Sequence, residues 1–370
     1  MNTDIQNNQR IFGLDVVRAT AIAMVVFSHV YYLIDSSNPL LISVSGLFGF
    51  FGVELFFVLS GFLIGTILLK KYMSELFSYK DIFIFLKRRW FRTLPNYYLV
   101  LILNILVALI FNYSIDGWAA YFVFFQNFID YKINFFTESW SLSVEEWTYL
   151  LIPFVLFFSW TVFKKNKKSA FIITVLVLIL FFHILRYFVY LENAFSDMTT
   201  WNSNLKSLTV YRIDSILFGF VTAWLHMFYK YFLQKYKGYM FIVSVHLFLF
   251  QFVVMNVLGF DIVATPLYYK VFYFTLTSFT IFLAMPIFVY WNSSKALFVN
   301  PIQLISKISY SMYLLHYSII IVLLKYVISN LNIQLSNFVI IMSYMFITIL
   351  SSCLLYRFYE KPMMNLRDKY

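Results

Sequence analysis

Cysteine occurs once, at Cys353, inside the last apolar run of the chain. That excludes a disulfide framework and a thiolate metal site. Charge is scarce too: charged residues make up 12%, against 62% hydrophobic and 22% aromatic, and the mean hydropathy is +0.78. A soluble chain of 370 residues needs far more polar surface to cover one core. Neither an internal repeat nor a low-complexity linker is visible, so nothing marks a second soluble domain. The segment Met1–Arg10 is polar and carries no signal-peptide core with a cleavage site. The first apolar run is therefore expected to stay as a helix and to act as the targeting signal.

What is present is a series of apolar runs of about 20 residues, the length that crosses ~30 Å of hydrocarbon. They fall near 13–34, 41–68, 94–113, 143–163, 169–190, 208–229, 238–258, 270–291, 308–330 and 335–357. The fold class expected is all-α, a polytopic membrane protein with about ten transmembrane helices. Residues 1–11 read as an N-terminal tail, 12–362 as the membrane domain and 363–370 as a C-terminal tail. Counting loops alternately, one side collects Arg10, Lys70, Lys71, Lys80, Lys87, Arg88, Arg89, Arg92 and the lysines at 164–168. It also collects Lys230, Lys235, Lys237, Lys295, Lys307, Arg357, Lys361, Arg367 and Lys369. The other side holds only Lys132, Lys206 and Lys270, with Arg186, Arg212 and Lys325 near the outer ends of spans. The positive-inside rule then makes both termini cytoplasmic and the number of spans even. The net charge of +11 is a topology signal and an attraction to anionic lipid heads, not a nucleic-acid footprint.

Ionisable residues inside spans are costly and mark candidate sites. The first run carries Asp15, Arg18 and His29. At 100° per residue, Arg18 and His29 share a helix face about 16 Å apart. Asp15, one turn before Arg18, can pair with it; the blander reading is an ion pair anchoring a helix end. Glu54 lies near the middle of the second run, where a carboxylate needs a cationic partner or a proton. Arg89 and Arg92 are three apart in KRRWFRTLP, a spacing that can grip phosphates, although a cation run is also an ordinary cytoplasmic stop signal. Pro95 then limits how the following span begins. Ser143 and Glu146 have the spacing of a helix start, while Trp140, Glu145 and Glu146 at an outer entrance could hold sugar hydroxyls. Arg212 and Asp214 enter the sixth span from that same side. His183, His226 and His246 have no metal-site spacing and read as structural, so no metal is expected.

Taken in order, these segments resemble the acyltransferase-3 family of bacterial membrane O-acyltransferases. The matching pieces are LDVVR with His29 eleven residues after Arg18, GVELFFVLSGFLIG, KRRWFRTLP, WSLSVEEWTYLLIP, YRIDSILFG, ISKISYSMYLLH and YEKP. They run from Phe12 to Pro362. Ala19 stands where the family usually has Gly, and Trp147-Thr148 where it has Gln-Phe; both bear on packing more than on chemistry.

The resemblance implies transfer of an acyl group, most often acetyl, from acyl-CoA to a hydroxyl of a surface saccharide. O-antigen of lipopolysaccharide, capsule, exopolysaccharide and a lipid-linked glycan are all acceptors of the right kind. The site implied is the bacterial cytoplasmic (inner) membrane, with acyl-CoA as donor substrate and no bound cofactor. Arg89 and Arg92 would hold the CoA phosphates, and His29 would be the general base. Arg18, Asp15 and Glu54 would support it, with Trp140, Glu145, Glu146, Arg212 and Asp214 on the acceptor side. An acyl-histidine intermediate stays open as a route. Some relatives carry an esterase-like domain; if the acceptor step needs one, a partner protein supplies it. The competing class is a transporter or flippase using Asp15, Arg18, Glu54 and His29 as a proton or substrate path.

Overall fold

The computed structural model describes residues 10–34, 38–192, 195, 197–292, 297–331 and 335–366. Lys295, Arg367, Lys369, most of the expected N-terminal tail and half of the expected C-terminal tail lie outside them. All regular structure among the described residues is helical. Nine helices are long and apolar enough to cross a membrane, and a tenth, of 16 residues, is apolar but shorter. In chain order they are α1 (Phe12–Tyr32), α2 (Pro39–Met73), α3 (Tyr79–Ile110), α4 (Ser139–Val162) and α5 (Lys167–Leu191). Then follow α6 (Ile213–Phe228), α7 (Lys230–Val257), α8 (Tyr268–Val289), α9 (Val299–Asn330) and α10 (Asn337–Leu366). The protein is a polytopic membrane protein, and the ten expected runs map onto these ten helices.

Several boundaries differ from the hydropathy reading by a turn or more, and those of α3, α4 and α9 bear on the polar residues. Helix α3 begins at Tyr79, not near 94. The Ser78 amide donates to the Asp81 carboxylate at 3.0 Å, and Lys71 pairs with Asp81 at 2.9 Å, which fixes that start. Arg89 and Arg92 therefore sit within a helix and not in a loop before one, about 15 Å or more along its axis. Pro95 lies inside the helix and does not open it. Helix α4 begins at Ser139, so Ser143 and Glu146 are interior positions and not a cap. Helix α9 begins at Val299, not 308.

Two faces of the bundle can be traced by hydrogen bonds between helix ends. Arg10 Nη2 donates to Gln303 O at 3.3 Å, Gly13 N to Trp291 O at 2.8 Å, and Lys167 Nζ to Ser74 O at 2.5 Å. The start of α1, the end of α2 and the starts of α5 and α9 thus share one face, called here the Arg10 face. On the opposite face, Thr209 N donates to Asn127 O at 2.9 Å, and Asn127 Nδ2 donates to Ser207 O at 2.6 Å.

Helices α2 and α6 are in backbone contact. A Cβ on Gly61 would overlap Ile216 O, and one on Gly219 would overlap Val58 O. Small residues let membrane helices approach this closely. The contact lays Glu54 of α2 beside Arg212, which immediately precedes α6. With 16 residues, α6 is about 24 Å long, so its polar first turn starts below the opposite face and is sealed by its neighbours.

Candidate active site

A partly open cavity of about 100 Å³ lies among α1, α2, α3, α4 and α9. Its polar wall is Arg18, Arg89, Arg92, Thr93, Glu145 and Tyr149. The Arg89 guanidinium stacks 4.8 Å from the Tyr149 ring centroid, and its Nε is buried without a hydrogen-bond partner. Tyr149 donates to Glu145 at 2.7 Å, and Ser60 lies 2.6 Å from the same phenol oxygen. Glu146 accepts from Thr93 at 2.7 Å. Among the described residues no carboxylate comes within 4 Å of Arg89 or Arg92, so the wall carries three guanidiniums against one carboxylate. Asp15 does not change that balance. It is held by Arg10 at 2.5 Å, with Arg18 more distant at 3.9 Å and Ser306 donating at 2.7 Å. An excess of half-buried arginines around a cavity suits a polyanion.

The far end of the cavity is formed by Ser141 and Tyr313, 2.5 Å apart. One helical turn beyond Tyr313 on α9 lie two histidines in contact. His316 Nδ1 lies 2.8 Å from Tyr313 O, and His316 Nε2 lies 3.2 Å from His29 Nδ1. His29 Nδ1 is also 2.9 Å from Val25 O. A carbonyl oxygen can only accept, so both Nδ1 atoms are assigned the proton. His316 Nε2 then accepts from His29, and His29 Nε2 keeps its lone pair. That atom has no hydrogen-bond partner among the described residues. Around it are Tyr317, with ring centroids 4.4 Å apart, and Tyr32, stacked at 5.9 Å.

A π-helical turn, His316–Ile321, opens at His316 itself. Such turns leave backbone groups out of register and recur at functional sites. Here Glu138 fills the gap: its Oε1 accepts from Ser318 N at 3.2 Å and Ser318 Oγ at 2.7 Å. Its carbonyl accepts from Tyr313 at 3.0 Å. Just ahead of α4, Glu138 is buried, and its Oε2 has no partner. Burial pushes this carboxyl up to about 7, against the smaller opposing effect of the Ser318 bonds.

The sequence-expected residues separate into three places. Arg18, Arg89, Arg92 and Glu145 share the cavity, with Asp15 behind Arg18. Glu145 and Glu146 face α3 and Tyr149, not an outer entrance, because α4 starts a full turn earlier than its Ser-x-x-Glu spacing suggests. Glu54 contacts Arg212, and Asp214 contacts Arg186 at 2.6 Å, all four side chains fully buried. None of the four touches His29. Trp140 sits between the two groups: it packs on Phe57, which lines the cavity and lies 5.8 Å from Arg212, and it lies under the Lys206 ammonium. His183 and His226 bond Thr275 and Tyr290 and stay clear of the cavity wall. No cluster of three metal-ligating side chains exists among the described residues. His316 and Glu138 were not assigned from sequence. His316 is 287 residues from His29, a juxtaposition no spacing rule carries.

A family profile described as an acyltransferase domain (acyltransferase-3) matches residues 11–357. The O-acetyltransferase OatA of Staphylococcus aureus (strain NCTC 8325 / PS 47) is 28% identical over 378 aligned positions, covering 95% of this chain and 56% of that protein. A Staphylococcus aureus (strain COL) protein provisionally named an O-acetyltransferase is 27% identical, with the same two coverages. YrhL of Bacillus subtilis (strain 168), provisionally named a peptidoglycan O-acetyltransferase, is 30% identical over 47% of this chain and 28% of its own length. The chain thus spans about half the length of the curated relatives it matches. No solved structure matches it at a significant level.

Proposed function

We propose, since this chain belongs to the acyltransferase-3 family, that it moves an acetyl group from acetyl-CoA to a hydroxyl of a cell-surface saccharide. The observation that carries this reading is the joining of two unlike sites. An arginine-walled cavity is lined at one end by Tyr313, and one helical turn further along α9 His316 meets His29, whose Nε2 is open. With both termini cytoplasmic, the Arg10 face is where CoA is available. Arg89, Arg92 and Arg18 hold its phosphates, and the pantetheine arm extends toward Ser141 and Tyr313.

His29 Nε2 takes the acceptor hydroxyl's proton as the oxygen attacks the thioester carbonyl. The C–O bond forms, the C–S bond breaks, and the CoA sulfur leaves with the proton returned by His29. His316 Nε2 accepts from the His29 Nδ1–H and stabilises the imidazolium formed on the way. Tyr32 and Tyr317 give the acceptor an aromatic surface beside the base. O-antigen, capsule, exopolysaccharide and peptidoglycan all offer such a hydroxyl; the last is the glycan in the printed name of YrhL.

The test is His29→Ala in membranes supplied with radiolabelled acetyl-CoA. Label transfer to glycan should fall about 10²–10⁴-fold, with the amount of protein in the membrane unchanged. Transfer at the wild-type rate would overturn the mechanism.

A further inference from the structure

Beside the buried ion pairs between α2, α5 and α6 stands one half-buried cation that they do not cancel. Arg212 is matched by Glu54 and Arg186 by Asp214. Ser278 adds a bond to Glu54 at 3.3 Å, and Thr275 accepts one from Arg186 at 2.7 Å. Lys206 is left over. No carboxylate lies within 4 Å of its ammonium among the described residues, which instead sits 5.5 Å from the centroid of the Trp140 ring.

The placement of this lysine is built, not incidental. It ends the π-helical turn Asn202–Lys206, and its carbonyl accepts from Arg212 Nη1 at 3.1 Å. The next carbonyl, of Ser207, accepts from Asn127 at 2.6 Å, and Asn127 also binds Trp140 O at 3.0 Å. The lysine backbone is thereby clamped both to the ion pairs and to the start of α4. Burial, reinforced by Arg212, lowers the amine from 10.5 to about 8, so it is still mainly charged at neutral pH. Ser141, next to Trp140, lies 2.5 Å from the Tyr313 hydroxyl, one helical turn before the His316 that meets His29. Lys206 is half-buried, so its ammonium can be reached by a ligand, and no side-chain carboxylate cancels its charge. Seated on the Trp140 ring, it is a fixed cation to which an anion can add.

We propose that Lys206, seated on Trp140, is a subsite for an acidic group on the acceptor saccharide, a carboxylate or phosphate borne close to the hydroxyl presented to His29. This deepens the acyl-transfer reading and rests on it for what becomes of the sugar. It predicts that neutral glycans are poor ligands and that an acidic sugar is oriented before chemistry.

Binding is measured by calorimetry on the protein in lipid nanodiscs, with methyl glucuronide, methyl glucoside and free acetate as probes. The wild type is expected to bind the glucuronide at least tenfold more tightly than either of the others. Lys206→Met should bring the glucuronide-to-glucoside ratio close to one, and Lys206→Arg should keep it. A ratio near one in the wild type, or one unchanged by Lys206→Met, overturns the subsite. Acetate binding as tightly as the glucuronide overturns its saccharide part. Consumption of acetyl-CoA in the same nanodiscs is scored separately. A binding preference without transfer sinks the reaction and keeps the subsite, and transfer without preference does the reverse.

Discussion

Arg186 and Arg212 on one side, and Arg89 and Arg92 on the other, are the same side chain put to opposite uses. The first two are fully buried, and each touches a carboxylate. Arg186 spends its remaining donors on Tyr211 O, Val271 O and Thr275, and Arg212 stacks 3.9 Å from the Phe274 ring centroid. The second two are half-buried beside a cavity and have no carboxylate within 4 Å among the described residues. A cancelled charge cements helices, whereas an uncancelled one beside empty space awaits a ligand. Sequence alone placed all four as intramembrane or juxtamembrane cations; partner and solvent access tell them apart.

The comparison breaks first at the sealed pairs. Arg212→Ala strands the Glu54 carboxylate and should cost about 3–5 kcal/mol, read as a large loss of thermal stability in detergent. Adding Glu54→Leu to Arg212→Met should return most of it. A single variant as stable as wild type would mean the pair is not sealed. Arg89→Ala with Arg92→Ala should behave in the contrary way. Stability should hold while the KM for acetyl-CoA rises about 10–100-fold, as expected for one or two charge-assisted hydrogen bonds. If that double variant unfolds as Arg212→Ala does, the distinction between the two groups is lost.

The smallest effect is a pH slope at Glu138, a carboxyl that is neither paired nor open. Its folded value of about 7 lies above the unpaired 4.5. A raised folded value contributes stability that is fully present below 4.5 and is lost as pH rises through 7. Glu138→Gln should flatten the melting temperature across that window while preserving the bonds from Ser318. A slope that survives the substitution would assign it to another group.

The helical fold and its ten apolar runs were legible because hydrocarbon thickness imposes a run length that any hydropathy window detects. Boundaries failed where charge entered a helix. The basic turns of α3 read as a loop, yet Arg89 and Arg92 line a cavity that partly shields them. Arg18, Arg89 and Arg92, which share the cavity wall, stood out in the sequence because each is an intramembrane or juxtamembrane cation at helical spacing. Glu145 and Glu146 were found but put at the wrong entrance, since the start of α4 is set by Glu138 and not by Ser143. His316 went unassigned because its meaning lies in contact with His29, across nearly the whole chain. Lys206 and Glu138 needed burial and partners to be recognised, neither of which one sequence displays.

The shortness of α6 has a consequence for the surrounding lipid. At about 24 Å it falls some 6 Å short of a ~30 Å hydrocarbon layer, and the turns between Met198 and Arg212 occupy the difference. A polar segment at that level lowers the water boundary locally, as hydrophobic mismatch does by thinning a bilayer. That end of the molecule is thereby expected to sit beneath a dimple in the membrane surface. On the acyl-transfer reading proposed above, a hydrophilic acceptor would approach through that dimple without entering the hydrocarbon.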